Sequence, residues 1–239
     1  MKIVGLLPLL VVIGAILLLI AGPGARLDLW DFRFGFTLMR WALYVGAGTA
    51  AVALLLALIP VTRRGNFLKL ASALVIGLAV AAVPYLQVRE ARSVPPIHDI
   101  STDTVNPPPF VAIAPLRADA PNPVEYAGDE VARQQREAYP DITSFSSDVY
   151  PAILFEHAVA TARNMGWEIV AAEPDAGRIE ATDTTFWFGF KDDVVIRIQG
   201  NNGGSIVDVR SKSRVGMSDV GANAARIRRF LDALEDRVN

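Results

Sequence analysis

The chain has 239 residues, a hydrophobic fraction of 52% and no cysteine, which excludes disulfides and Cys-ligated zinc. Residues 1–94 carry nine Lys and Arg against three Asp and Glu, whereas residues 95–239 carry 14 against 22. An acidic soluble part repels a phosphate backbone, so the sequence predicts no nucleic-acid partner.

Three long apolar runs predict transmembrane helices over about residues 3–21, 38–59 and 68–86. Each run is close to the ~20 residues that a helix needs to cross the hydrocarbon core. The first run is longer than the apolar part of a signal peptide and has no good cleavage site after it, so we interpret it as an uncleaved span. The lipid bilayer is therefore the first predicted partner, and residues 1–94 form a membrane domain.

Small residues in the second apolar run resemble a weak dinucleotide fingerprint, VGAGTAA, but no strand precedes them. Inside a membrane span, small residues let neighbouring helices approach closely. We therefore interpret this stretch as a helix contact, made by Gly46, Ala47, Ala50 and Ala51.

The orientation of the membrane domain follows from its loops. Three spans place the two ends of the chain on opposite sides, and the basic cluster RRGNFLK favours the second loop as cytoplasmic. The sequence thus predicts a C-terminal domain outside the cytoplasm. The first loop, ARLDLWDFRFGFTLMR, alternates aromatic and charged residues, which is typical of a segment lying along the membrane interface.

Residues 95–150 hold nine of the chain's 15 prolines and are predicted as an extended strap or linker, called the Pro-rich segment below. Within it, FVAIA is predicted as a brief strand and GDEVARQQREA as a polar helix.

Residues 151–239 show the clearest periodicity and form the predicted core of the C-terminal domain. YPAILFEHAVATARNMG has helical spacing, and four strands follow: WEIVAAE, RIEATDTTFWFGF, VVIRIQ and SIVDVRSKSR. The second strand loses its alternation near Asp183, which indicates a kink or bulge, and GNNGG predicts a hairpin turn. A final helix begins with Ser218 or Asp219 as its N-cap. The predicted fold class is three transmembrane helices followed by an α+β domain, with an antiparallel four-stranded meander and two packed helices.

The same stretches resemble a known family, domain of unknown function 1499. The resemblance is carried by PPIHDISTD, PPPF, MGWEIV, RIEATDTTFWFGFKDDVVIRI and VDVRSKSRVG with the following SDVGANAARIRRF, and it covers essentially all of residues 95–239. It implies a membrane-anchored bacterial protein of the inner membrane with a periplasmic domain. It implies no activity, cofactor or catalytic residue.

The few histidines limit the chemistry that the chain can perform. His157 lies in the first predicted helix of the core, near a packed face. His98 lies beside Asp99, with Asp103 close by, and these three could form a metal site or a His–Asp base. The alternative is that the polar side chains of HDISTDT bond nearby backbone groups in turns. The sequence predicts no metal and no cofactor.

A local excess of positive charge gives the second candidate site. Residues 197–229 carry seven Lys and Arg against two acids, and strand alternation places Arg210, Lys212 and Arg214 on one face. Arg197 on the neighbouring strand and Ser218 at the helix start complete a possible site for an anion. The alternative is an intramolecular partner, because residues 95–150 carry nine acids and three bases.

These observations favour a non-enzymatic binding or interaction module near the bilayer, with an acidic lipid, another anionic ligand or an envelope protein as partner. The first alternative is an envelope hydrolase or metal-dependent enzyme centred on His98, Asp99 and Asp103. The second is a subunit of a membrane assembly.

Overall fold

The structure is a computed structural model that describes residues 2–238. The chain divides into two compact units. The membrane unit comprises the residues up to Arg92 together with Phe186–Gly189. The C-terminal unit comprises Ser93–Thr185 and the residues from Phe190 onward.

The membrane unit contains three helices that are long and apolar enough to span a bilayer, and the chain is a membrane protein. These helices are α1 (Lys2–Arg26), α2 (Phe32–Ala57) and α4 (Phe67–Ser93), and a single turn, α3 (Pro60–Arg63), precedes α4. The three predicted apolar helices are confirmed, and each helix is longer than its apolar run. The first loop is shorter than predicted because α2 begins at Phe32, with the Asp31 carboxylate accepting a 2.8 Å hydrogen bond from the Arg33 backbone nitrogen.

Glycines bring α2 and α4 together. A Cβ atom on Gly46 would lie 2.7 Å from the Gly77 carbonyl oxygen, and one on Gly77 would lie 2.8 Å from the Gly46 oxygen. Gly46 and Ala50 of the predicted helix contact are buried, whereas Ala47 and Ala51 are exposed. The close approach of the two backbones explains why the interface uses small residues.

The C-terminal unit is built on an antiparallel sheet of six strands in the order β1-β6-β5-β4-β3, with β2 also paired to β6. The strands are β1 (Asp99–Ser101), β2 (Phe145–Ser147), β3 (Glu168–Glu173), β4 (Arg178–Thr184), β5 (Lys191–Asn201) and β6 (Gly204–Ser213). The predicted four-stranded meander is β3 to β6. It is extended by β1 and β2, whose three residues each are too short to show a periodic pattern.

Apolar residues of one sheet face form the main core with two helices, α6 (Pro151–Asn164) and α7 (Ala222–Val238). Ile196 and Val209 lie on this face and are fully buried, and the rings of Trp167 and Phe230 stack 5.3 Å apart in the same core. The predicted packing of both helices on one face of the sheet is confirmed.

The opposite sheet face is charged. Because side chains alternate along a strand, Asp208, Arg210 and Lys212 of β6 point away from the α6 and α7 side. Residues 103–127, called the covering loop below, lie over this face. The loop adds a small apolar cluster of Phe110 and Ile113 against Val195 of β5. The charged face is thereby enclosed between sheet and loop.

Three local predictions differ from the structure. FVAIA is not a strand; it forms bends that lead into a 3-10 turn at Ala114–Arg117. The register irregularity lies in β3, between Ile169 and Ala171, rather than in β4. The second predicted strand ends at Thr184, since Thr185 and Phe190 close a turn through a 2.8 Å backbone hydrogen bond. The polar helix GDEVARQQREA is present as α5 (Asp129–Ala138).

Candidate functional site

His98, Asp99 and Asp103 have separate partners. Asp99 is fully buried, and its carboxylate accepts two 2.9 Å hydrogen bonds from Arg210 and lies 3.0 Å from the Lys212 Nζ atom. Asp103 instead pairs with Arg197 at 3.0 Å. No group of three metal-ligating His, Asp or Glu side chains is found within residues 2–238. The geometry favours separate structural ion pairs for Asp99 and Asp103 over a shared reactive centre.

The environment of His98 is unfavourable for a protonated ring. Burial lowers the pKa of His98, and the nearby charge of Lys212 lowers it further, while Asp99 opposes the shift. The backbone oxygen of His98 accepts hydrogen bonds from the Ser213 nitrogen and from the Asn223 amide. His98 is therefore held in the junction between β6 and α7.

Arg210 and Lys212 are closed off by the covering loop. Arg210 donates to the carbonyl oxygens of Pro108 and Val124 at 3.3 and 3.0 Å, and Lys212 donates to the carbonyl oxygen of Glu125. Both residues are almost fully buried. Burial lowers the pKa of Lys212, although Asp99 opposes that shift. Both cations are thus bonded to groups of the same chain on the face where an anion would bind.

Arg214 belongs to a second cluster centred on Asp193 of β5. The Asp193 carboxylate accepts bonds of 2.8 and 2.9 Å from Arg214, 3.1 Å from Arg117 and 2.8 Å from the Thr182 hydroxyl. The Arg117 and Asp193 side chains are fully buried. Arg117 lies in the covering loop and was not singled out in the sequence. The sequence feature that could have identified Arg117 is its position as a lone basic residue between apolar stretches of a proline-rich segment.

Arg197 forms a third cluster. It lies directly opposite Asp208 in the β5–β6 register, and the two side chains approach to 2.7 Å. Asp208 also accepts bonds from the hydroxyls of Thr102 and Ser144. The register places Arg197 on the same face as Arg210 and Lys212, as the sequence predicted, and Arg214 follows the end of β6. The structure gives each of these four cations a carboxylate partner.

Ser218 lies apart from these clusters, in the turn before α7. Its hydroxyl accepts a 3.1 Å bond from the Val220 nitrogen. The N-terminus of α7 is capped by Asp219, whose carboxylate accepts 2.8 Å bonds from the Gly221 and Asn223 nitrogens. Of the two predicted caps, Asp219 is the one that reaches the helix. The anion-attracting end of α7 therefore already holds a carboxylate.

Glu180 fixes the covering loop from the centre of the sheet. Its fully buried carboxylate accepts backbone bonds from Val111, Ala112 and Ile113 at 2.9, 3.0 and 2.8 Å. Successive backbone N–H groups turned toward one anion form a nest, here occupied by a side chain of the same chain. The sequence signal was an acid between Ile179 and Ala181 in a strand, a position that requires buried partners.

Aromatic rings complete the enclosure. Two guanidinium groups approach the Phe110 ring. The Cζ atom of Arg210 lies 4.9 Å from the ring centre, and that of Arg117 lies 5.7 Å from it. The Tyr126 ring lies 5.3 Å from Arg210, and burial raises the pKa of Tyr126 to about 12. The cations are therefore packed against rings as well as paired with carboxylates.

The concave surfaces of the C-terminal unit lie elsewhere. A half-open cavity of about 530 Å³ is lined by residues of β2, the β5–β6 turn and the end of α7, among them Ser146, Asp148 and Glu235. A second cavity of about 420 Å³ lies between the start of α6 and the turn after β3. None of the predicted site residues lines either cavity.

Comparison with known proteins identifies one family model that matches the chain. A family model described as "Protein of unknown function (DUF1499)" matches residues 99–234, more than half of the chain. None of the curated proteins compared with the chain matches it. A solved structure titled "Crystal structure of Ara h 8.0201" is similar with a TM-score of 0.33 at 16% identity, over 40% of this chain and 94% of that one.

Proposed function

Because this chain belongs to the family described as Protein of unknown function (DUF1499), whose description states no activity, we propose a function from the geometry of the chain itself. The protein is a membrane-anchored, non-enzymatic interaction module. Its C-terminal unit lies on the periplasmic side of a bacterial inner membrane and binds an envelope protein.

The enclosed Asp99 cluster is the observation that supports this proposal. The carboxylate of Asp99 is paired with Arg210 and Lys212, and both of these side chains also donate to carbonyl oxygens of the covering loop. A general base or a metal ligand needs an accessible lone pair, and an anion site needs free donors. The charges on this sheet face stabilise a fixed surface instead.

The outer surface carries apolar side chains suited to a protein partner. Val105 in the covering loop is 90% exposed, and Met217 in the turn before α7 is 82% exposed.

Photo-cross-linking in living cells tests the interaction. A photoreactive amino acid replaces Val105 or Met217 of the full chain, and Asp175, an exposed polar residue of the same unit, is the matched control. We expect a discrete adduct at Val105 or Met217 that is absent at Asp175. The same diffuse pattern at all three positions would contradict the proposal.

Reporter fusions test the side of the membrane. Three spans and the RRGNFLK cluster support a C-terminus outside the cytoplasm. Alkaline phosphatase fused after Asn239 should therefore be active, and a cytoplasmic reporter fused there should be inactive. The reverse pattern would place the module in the cytoplasm.

A further inference from the structure

The connection between β4 and β5 contributes four residues to the membrane unit. These residues, Phe186–Gly189, are called the aromatic loop, and the chain enters and leaves it through the Thr185–Phe190 turn. Trp187 and Phe188 pack on an apolar cluster of the membrane helices that includes Leu18, Ala21 and Met39. The β4–β5 connection therefore joins two strands and also packs two aromatic side chains on the membrane helices.

Glycines of α1 and α2 lie directly against the aromatic loop. A Cβ atom on Gly22 would lie 1.3 Å from the Cδ1 atom of Trp187, and one on Gly35 would lie 2.8 Å from the Cε1 atom of Phe188. No side chain larger than hydrogen fits at Gly22 while Trp187 keeps its place. Gly5 of α1 and Gly48 of α2 provide the contrast, since a Cβ atom on either would meet nothing within 4 Å.

Directed contacts hold both ends of the aromatic loop. The Arg26 guanidinium donates to the carbonyl oxygen of Phe186 and lies 5.8 Å from the centre of its ring. The rings of Phe36 and Phe188 lie 5.1 Å apart. Gly189 has a φ of 70°, and a Cβ atom on it would lie 3.3 Å from the Arg26 Cβ atom. The aromatic loop thus contacts the C-terminal end of α1 and the N-terminal start of α2.

We infer that α1 and α2 form a specific receptor for the aromatic loop, so that the family domain supplies an integral part of the membrane unit. The recognised chemistry is a Phe-Trp-Phe segment seated over glycines and closed by an arginine. This inference does not depend on the identity of a partner or on the side of the membrane. It assigns Gly22, Gly35 and Arg26 a role beyond anchoring in lipid.

Disulfide trapping tests the arrangement directly, because the chain has no cysteine of its own. Disulfides form where Cβ atoms lie about 3.5–4.5 Å apart, close to the separation at Arg26 and Gly189. The full chain carries Arg26→Cys with Gly189→Cys and a protease site inserted after the exposed Val105. After oxidation in membranes and cleavage, the disulfide keeps the two fragments together on a non-reducing gel.

The matched control pairs Gly5→Cys with Gly189→Cys, because Gly5 lies near the other end of α1, about 30 Å of helix away from Arg26. We expect the fragments of the first pair to stay joined in most molecules and those of the control pair to separate. Equal yields for the two pairs, or no cross-link in the first, would overturn the inference.

A steric test asks whether Gly22 matters because of Trp187. Gly22→Leu in the cross-linking background should lower the disulfide yield several-fold, whereas Gly5→Leu should leave it unchanged. The loss caused by Gly22→Leu should shrink when Trp187→Ala is also present, because the clash is then removed. Equal effects of the two leucine substitutions on the disulfide yield, or a loss of yield that Trp187→Ala does not change, would contradict a direct contact between Gly22 and Trp187.

Discussion

The Glu180 carboxylate lies 2.8 Å from the backbone nitrogen of Ile113, a residue 67 positions earlier in the chain. This contact joins strand β4 to the covering loop and satisfies the buried N–H group of Ile113. The backbone of FVAIA, which was predicted as a strand, is held by this carboxylate and pairs with no strand.

Loss of the Glu180 acceptor should be among the most damaging single changes in the C-terminal unit. Glu180→Ala leaves three N–H groups without their acceptor and removes the buried carboxylate that pairs with Arg178 at 3.2 Å, and we expect destabilisation of about 3–5 kcal/mol. Chemical denaturation of the purified full chain in detergent measures it. Glu173→Gln is the control, since Glu173 bonds the neighbouring Arg178 from an exposed position and should cost less than about 1 kcal/mol. Equal losses would contradict the role of Glu180.

Removing Asp99 should also be costly, because two buried cations lose their counter-charge. We expect Asp99→Ala to destabilise the protein by about 3–5 kcal/mol. Lys212→Met removes one of these cations and keeps the bidentate Arg210–Asp99 pair, so its cost should be smaller. Combining the two substitutions should cost less than their sum, as the same denaturation curves would show. Strict additivity would indicate that Lys212 and Asp99 act independently.

Asp103 should have a modest structural role. Its carboxylate accepts bonds from the Val105 and Asn106 nitrogens and pairs with Arg197, and its surroundings are partly exposed. Asp103→Ala should lower stability by on the order of 1 kcal/mol. An unchanged melting curve together with a stoichiometric metal bound by the parent protein would favour the metal-site alternative instead.

Acid should destabilise the protein through His98. Burial and Lys212 lower the folded-state pKa of His98 below the ordinary value of about 6.5, so the unfolded chain binds its proton first as pH falls. Stability is therefore present above pH ~6.5 and is lost as pH falls below it. Melting temperatures between pH 8 and 5 should fall less in His98→Gln than in the parent. An equal fall in the two proteins would contradict this role of His98.

Anionic lipid should have little effect on the C-terminal unit, because Arg210 and Lys212 are enclosed. We expect the same melting temperature in nanodiscs of phosphatidylcholine alone and in nanodiscs that also contain phosphatidylglycerol. A melting temperature that rises with phosphatidylglycerol, falls with salt and loses the rise in Arg210→Ala and Lys212→Ala would instead support the anion site.

The sequence predicted those parts of the fold that depend on local periodicity. Three apolar runs of span length, the NNG turn and the apolar stripe of the last helix each indicate one structure over a few residues. β1 and β2 could not be predicted in this way, since each has three residues and forms only by pairing with β6. Their stability comes from partners distant in sequence, which leave no local pattern.

In the candidate site, too, local patterns were predicted from the sequence and distant partners were not. Strand alternation correctly placed Arg210 and Lys212 on one face, and the acid excess of residues 95–150 suggested internal partners. Which partner each cation takes could not be predicted, because Asp193 and Asp208 come from the sheet itself and the remaining acceptors are mostly backbone carbonyls. Carbonyl groups occur at every residue and carry no sequence signal.

The outer strand β1 ends at Ser101, and the side chain of Gln135 in α5 meets it there. The Gln135 amide accepts a bond from the Ser101 nitrogen at 3.0 Å and donates to the Ser101 oxygen at 2.6 Å, as a neighbouring strand would. An open sheet edge invites pairing with another molecule, and natural proteins block such edges. At the opposite border, the irregular register of β3 disrupts the regular ladder. At these two places the sheet borders disfavour growth by strand addition, which limits self-association through the edges of β1 and β3.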